Sequence, residues 1–240
     1  MFDRFVFGRR RTLAPSATLA APMVAATLLL APLLAPQPAQ ARSKSGPTAL
    51  AMAHFDAGPR EIGVIAQAQA DGEGAIVVRV LRTDVPVCHL LVLDAAPKRA
   101  TAVKSAARLD VCAVYDKDAK RARLDHVPLT SRHGAWRVFT ESKRMDAMAK
   151  GVETRQLWAL YSDRSGSVEN VFRRVSTSFQ SKANRAVNLA ERCEPPSFSV
   201  SDTPSSLSID CDTEAMLGDS LKKKRSTFRY TWSGSRFDLQ

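Results

Sequence analysis

The run RQLWALYSDRSGSVENVFRRVSTSF, Arg155 to Phe179, reads as a β-hairpin. Its Trp, Tyr, Leu, Val and Phe residues suit a pleated, half-buried surface, and Asp, Ser and Gly supply a turn between them. Strands are expected over Gln156–Tyr161 and Val168–Phe179, joined through Ser162 to Ser167. A similar layout lies upstream between Leu109 and Leu129, where Ala113-Val114-Tyr115 matches Ala159-Leu160-Tyr161 ahead of the polar turn Asp116 to Lys120.

The same grammar extends outward in both directions. Val64, Ala66, Ala68 and Ala70 alternate with Ile65, Gln67 and Gln69 as in a strand, and Asp71-Gly72-Glu73-Gly74 is a turn signal. The consecutive apolar residues of Ala75 to Leu81 imply a strand buried on both faces. A third strand is expected over Val87–Leu93, a loop or helical turn over Pro97–Arg108, and a short strand over Ala135–Thr140. Two helices are expected, over Glu141–Lys150 and Ser181–Arg192, the second stopped by Pro195-Pro196. Further strands follow around Phe198, Leu207 to Cys211 and Phe228 to Trp232, the last carrying an aromatic stripe that reads as core.

Turns thus fall near Asp71, Lys117, Arg164, Thr203 and Gly234, too few repeats for a full propeller and without a blade signature. The expected fold is all-β: an antiparallel hairpin meander, as a sandwich or a partial propeller-like stack, with one or two short helices.

The N-terminus reads differently. Arg4, Arg9, Arg10 and Arg11 form a basic start, Leu13 to Pro36 is uncharged and mostly Ala, Leu and Pro, and Ala39-Gln40-Ala41 has the small-x-small pattern of a cleavage site. Pro15, Pro22, Pro32 and Pro36 break the apolar run, which argues against a membrane span of about 20 residues. Residues 1–41 are therefore expected to be a signal peptide, 42–60 a flexible leader, and 61–240 a single disulfide-bonded β domain with a sub-boundary near 181–196. Arg10-Arg11 fits a twin-arginine signal, but the residues after Leu13 do not match that motif, so ordinary secretion is the preferred route. The destination is periplasmic or extracellular, with no transmembrane segment in the processed chain.

Four cysteines in an exported chain read as two disulfides. Pairing Cys88 with Cys112 and Cys193 with Cys211 lets each bridge close a short segment, worth about 3 kcal/mol apiece in the chain-entropy account. No C-x-x-C cluster points to zinc.

Chemistry is thinly signalled. His54, His89, His126 and His133 share no ligand spacing, Asp125-His126 with Ser131-Arg132-His133 lacks a nucleophile elbow, and Asp116-Lys117-Asp118 is crowded by cations. No catalytic residue, metal or cofactor is assigned. The positive charge is the remaining signal: Lys and Arg number 35 against 24 Asp and Glu, a net of +11. Removing residues 1–41 takes four of those cations and one acid and leaves +8. The clusters are Lys117 to Arg123, Lys143-Arg144, Arg173-Arg174 and, densest, Lys222, Lys223, Lys224 and Arg225. In an exported protein these point to an anionic envelope polymer or another envelope protein, with nucleic acid not expected as a partner. A charge run that guards an edge strand is the plainer alternative. The functional expectation is a non-catalytic binding or accessory module of the bacterial envelope. A structural envelope protein, or a hydrolase with a site assembled from distant Asp, His and Ser residues, is the alternative.

Overall fold

Alternation and continuous apolar runs divide this chain's strands into two kinds, and a computed structural model shows how they assemble. It describes residues 46–82, 85–112, 121–129, 134–146, 150–164, 166–181, 187–199, 206–217 and 220–240. Residues 42–240 form a compact unit of their own.

A short helix, α1 (Pro47–Phe55), precedes a four-stranded antiparallel sheet of β1 (Ile62–Ala70), β2 (Glu73–Val80), β3 (Val87–Leu93) and β4 (Val103–Leu109), in that order. The larger sheet contains β5 (Arg123–Pro128), β6 (Gly134–Asp146), β7 (Gly151–Arg164), β8 (Ser167–Ser181), β9 (Val187–Cys193), β10 (Ser197–Ser199), β11 (Ser206–Leu217), β12 (Ser220–Trp232) and β13 (Phe237–Leu239). Its path runs β13-β12-β11-β9-β8-β7-β6-β5, with β10 paired to β11. The all-β antiparallel expectation holds, in its sandwich form.

The middle layer explains the stack. In β2, Ala75 and Val77 face the large sheet while Ile76 and Val78 face α1; in β3, Leu90 and Val92 oppose Leu91 and Leu93 in the same way. The first cluster joins Trp136 and Val138 of β6 to Leu157, Ala159 and Tyr161 of β7. The second takes in Leu50 and Ala51 of α1. A third cluster lies on the opposite face of β7, where Trp158 and Leu160 meet Leu207 and Ile209 of β11, Tyr230 of β12 and Phe237 of β13. The aromatic stripe on β12 is thus core: Tyr230 meets Phe172 edge-on with ring centroids 5.0 Å apart, and Trp232 lies 5.1 Å from Phe237.

The central hairpin is longer than the sequence suggests, its two strands spanning 14 and 15 residues. A bulge sets Leu160 against Phe172 and Tyr161 against Asn170, so that Val171 is the extra residue. That insertion lets Val171 and Phe172, although adjacent, both enter the third cluster. A second bulge, at Ile65 in β1, adjusts the alternation expected there: Val64 packs on the α1 side, whereas Ile65, Ala66, Ala68 and Ala70 pack between the sheets.

Both expected disulfides are present, Cys88–Cys112 and Cys193–Cys211. The second joins directly opposed residues of β9 and β11. The first ties the chain beyond β4 back onto β3.

Four expectations are corrected. The flexible leader over 42–60 contains α1, capped by Gly46 and Pro47 and ended by Asp56 at φ 48°, because Leu50 and Ala51 cover the outer face of β2 and β3. The helix expected over Glu141–Lys150 is instead strand through Asp146, paired residue by residue with β7 from Thr140↔Leu157 to Asp146↔Gly151. The helix expected over Ser181–Arg192 is replaced from Val187 onward by β9, held between β8 and β11. In both cases strand pairing overrides a composition compatible with helix. Finally, the loop expected up to Arg108 contains β4, and Leu109 and Arg123 do not flank a hairpin: β4 pairs with β3 in one sheet and β5 with β6 in the other. The matched segment Ala113-Val114-Tyr115 and the turn around Lys117 lie outside the described residues.

The β1–β2 connection is a two-residue turn with positive φ at both positions, 48° at Asp71 and 84° at Gly72. Two residues on, Gly74 is needed for a different reason: a Cβ there would lie 2.5 Å from the Ala95 carbonyl oxygen and 2.8 Å from the Pro97 ring. Gly74→Ala is therefore expected to destabilise the protein by about 1–3 kcal/mol through overpacking, read as a lower denaturant midpoint with an unchanged slope. An unaltered midpoint would show that the 95–97 loop does not press on β2.

Candidate anion-binding surfaces

The densest basic run lies on β12. Its neighbour throughout is β11, with Lys222 opposite Ala215, Lys223 opposite Glu214, Lys224 opposite Thr213 and Arg225 opposite Asp212. On its other side, the described pairing is with β13 and covers only Tyr230 to Trp232. Lys222 to Arg225 therefore occupy an open strand edge, where clustered cations discourage edge-to-edge association.

Strand alternation splits this run into two unlike pairs. Lys223 lies 2.6 Å from Glu214. Arg225 reaches Glu194 at 2.9 Å, Asp210 at 3.1 Å and Asp212 at 3.8 Å. The Asp210 carboxyl also accepts the Thr227 hydroxyl at 2.6 Å. That hydrogen bond, and then Arg225, hold Asp210 below the usual carboxylate range. Lys222 and Lys224 point to the opposite face and are exposed. Neither has a carboxylate partner among the described residues. A run of four cations thus presents two free ones.

The other basic pairs divide likewise. Arg173 and Arg174 face opposite sides of β8: Arg173 bonds Asp110 at 2.8 Å, while Arg174 pairs with Glu191 and sits 4.1 Å over the Phe228 ring. Arg121 pairs with Glu141. Lys117 and Lys120 lie outside the described residues.

Lys143 and Arg144 also alternate, and Arg144 leads to a cleft that the sequence reading missed. The face of β6 and β7 carrying the inter-sheet core continues past the end of the small sheet as Ser142, Arg144, Glu153 and Arg155, with Ser142 opposite Arg155 and Arg144 opposite Glu153. The far wall is the end of the small sheet, Val85 to Val87 and Arg108 to Cys112. Together they enclose a cleft of about 220 Å³. Thr140 marks the boundary of the core, its buried hydroxyl donating to the Val111 carbonyl at 2.7 Å. Among the described residues Arg108, Arg144 and Arg155 have no ion-pair partner. A larger, more open hollow of about 820 Å³ lies between the β1–β2 turn and Ala96 to Arg99, lined by charges of both signs.

The remaining candidates do not converge on a catalytic arrangement. Asp125 and His126 face opposite sides of β5: Asp125 takes Arg137 Nε at 2.9 Å, and the His126 ring packs 4.9 Å from Trp136. Ser131 and His133 lie outside the described residues, as does Asp116-Lys117-Asp118. Among the described residues, the grouping with metal-ligand proximity is Glu191, Cys193 and Cys211. Its sulfurs are bonded to each other, so they offer no thiolate. None of the described helices is long and apolar enough to cross a membrane. No protein-family model matches the chain, and no match is found among curated proteins or solved structures.

One histidine is electrostatically distinctive. His89 stacks on Phe55 with centroids 4.7 Å apart, and its pKa lies below the ordinary 6.5 because of burial first, then Arg108, then His54. A lowered pKa means that the unfolded chain takes up the proton first, so stability falls as pH drops below about 6.5 towards the folded value. Replacing His89 by Phe is expected to flatten that part of a stability–pH curve. The losses below about pH 4, where Asp94 and Asp210 protonate, would remain. An unchanged slope between pH 7 and 5 would remove His89 as its source.

Proposed function

We propose that this chain is an exported, non-catalytic binding module that attaches to an anionic polymer of the bacterial envelope. The observation that carries the reading is the distribution of charge rather than its total. Several basic side chains on the sheets are matched by acids, as at Arg225, Lys223, Arg173 and Arg174. Among the described residues, Lys222 and Lys224 have no acidic partner on their exposed edge, nor do Arg144 and Arg155 at the cleft. Unmatched cations at exposed strand ends attract polyanions over roughly a Debye length, about 8–10 Å at physiological salt.

Export rests on the leader, with its basic start, apolar stretch and Ala39-Gln40-Ala41. Two disulfides fit an oxidising compartment.

Co-sedimentation of the chain from Arg42 onward with purified envelope material, across a salt series, tests the proposal. Binding is expected at low salt and should weaken progressively as salt rises. Lys222→Gln with Lys224→Gln should weaken it further, and more than Lys223→Gln, whose ammonium is already paired. Absence of binding at low salt would overturn the reading and leave the charge as edge protection alone.

A further inference from the structure

The strand connections at one end of the two-sheet unit share a feature that charge alone does not explain. We propose that this end is a docking surface for an anionic lipid bilayer, with exposed aliphatic side chains entering the headgroup layer between basic ones. The inference goes beyond polymer attachment. It draws on some of the same cations and adds an apolar component that a hydrophilic polymer would not engage.

Register gathers the residues. One row of opposed positions crosses six strands of the large sheet: Arg144, Glu153, Phe179, Leu189, Ala215 and Lys222. That row lies close to the β6–β7, β8–β9 and β11–β12 connections, so all three open at the same end. At about 4.8 Å between neighbouring strands the row is roughly 24 Å wide. One residue nearer the connections stand Met145 on β6 and Leu221 on β12. The β2–β3 connection of the small sheet belongs to this end too, since Val85 and Pro86 line the same cleft as Arg144 and Glu153.

Exposure singles out these positions. Among the described residues, the exposed large hydrophobic side chains are Leu81, Val85, Met145, Leu221 and Leu239, each 43–70% accessible. All but Leu239 sit at the connections just named. Three connections repeat one pattern, an exposed aliphatic residue next in sequence to an exposed cation: Leu81-Arg82, Arg144-Met145 and Leu221-Lys222. Single apolar residues scattered over a surface are ordinary. The same pair recurring at three tips of one end makes a surface with two components.

A bilayer answers both components. An anionic leaflet attracts Lys and Arg through its surface potential, and it presents that potential continuously across a surface of this width. Aliphatic groups held at the tips are stabilised on leaving water for the boundary of the acyl region, and the two effects add. The cations are available for the task. Among the described residues Arg144 and Lys222 make no ion pair, and Arg82 donates to the Phe55 and Asp56 carbonyl oxygens, which leaves its charge uncompensated. Lys150 is exposed at the β6–β7 connection. Against these stand Asp146 and Glu153, while Glu214 is already engaged by Lys223 at 2.6 Å. Pairing that continues to Asp146↔Gly151 and Leu217↔Ser220 holds the tips in place before a membrane is met.

The test is flotation of the chain from Arg42 onward, which carries the whole compact unit, with polymer-free vesicles. The vesicles are phosphatidylcholine, alone or mixed with phosphatidylglycerol. Flotation is expected with the mixed vesicles and should fall as salt rises. Leu81→Ser with Met145→Ser and Leu221→Ser should weaken it by about tenfold or more at every salt concentration. Leu239→Ser should leave it as it was, because Leu239 lies opposite Tyr230, roughly 30 Å along β12 from Leu221. All four side chains are exposed, so the melting temperatures should match that of the unaltered protein. As an independent readout, Met145→Trp and Leu221→Trp should each gain blue-shifted emission on the mixed vesicles, and Leu239→Trp should not.

No flotation with phosphatidylglycerol at low salt, equal flotation with phosphatidylcholine alone, or no loss in the triple serine variant overturns the surface. Equal loss from Leu239→Ser does the same. Retention by lipid-extracted envelope polymer without vesicle flotation would overturn this inference and keep the polymer reading. Vesicle flotation without such retention would support this inference and overturn the other.

Discussion

Strands β2 and β3 bury both of their faces, and the architecture follows from that constraint. Ile76, Val77, Val78, Leu90, Leu91, Val92 and Leu93 are all fully inaccessible. Burying each aliphatic side chain of this kind stabilises the fold by about 1.5–3 kcal/mol, so the seven together are worth on the order of 10–20. A two-faced apolar strand pair needs a cover on each side. Helix α1 provides one with Leu50 and Ala51, and the Trp136 and Leu157 face of the large sheet provides the other.

The two sheets differ greatly in strand length, and the difference creates the cleft. Strands of the small sheet run to 7–9 residues, whereas β6, β7 and β8 run to 13, 14 and 15. At about 3.3 Å per residue the long ladder overhangs the small sheet by roughly 15–25 Å. Where the small sheet ends, the covered face of the long one can no longer be apolar. The switch is abrupt: Trp136, Val138 and Thr140 lie in the core, and Ser142 and Arg144 follow on the same face. The cleft is this step between a short sheet and a long one, braced by the Thr140 hydrogen bond and the Cys88–Cys112 bridge.

Local patterns made part of this readable from the sequence. The hairpin through Gly166, the turn at Asp71-Gly72, the two-faced burial of β2 and both cysteine pairings depend on signals within some 25 residues. What stayed hidden is the choice of pairing partner, which composition alone does not make. Glu141 to Asp146 has the polar composition of a surface helix, and only its pairing with Gly151 to Gln156 makes it strand. With that segment read as helix, Arg144 and Arg155 could not be assigned to one face, and Arg108 lay in an expected loop. Similarly, β4 and β5 look like hairpin arms because they are near in sequence; their pairing partners, β3 and β6, separate them into different sheets.

The basic run on β12 shows why a count of cations misleads in a β protein. A contiguous sequence of charges on a strand is divided between two faces, and each half meets whatever its neighbour strand presents. Asp210, Asp212 and Glu214 occupy every second position of β11, so they meet only one half of the run and neutralise Lys223 and Arg225. Unmatched cations remain where that matching stops. At β12 it stops because the opposing face of β11 carries Thr213 and Ala215. At the cleft Asp110 is claimed from outside by Arg173, and Arg144 and Arg155 share their face with a single glutamate, Glu153. Placement of the acids, more than abundance of the bases, thus decides where positive charge stays unmatched on these strands.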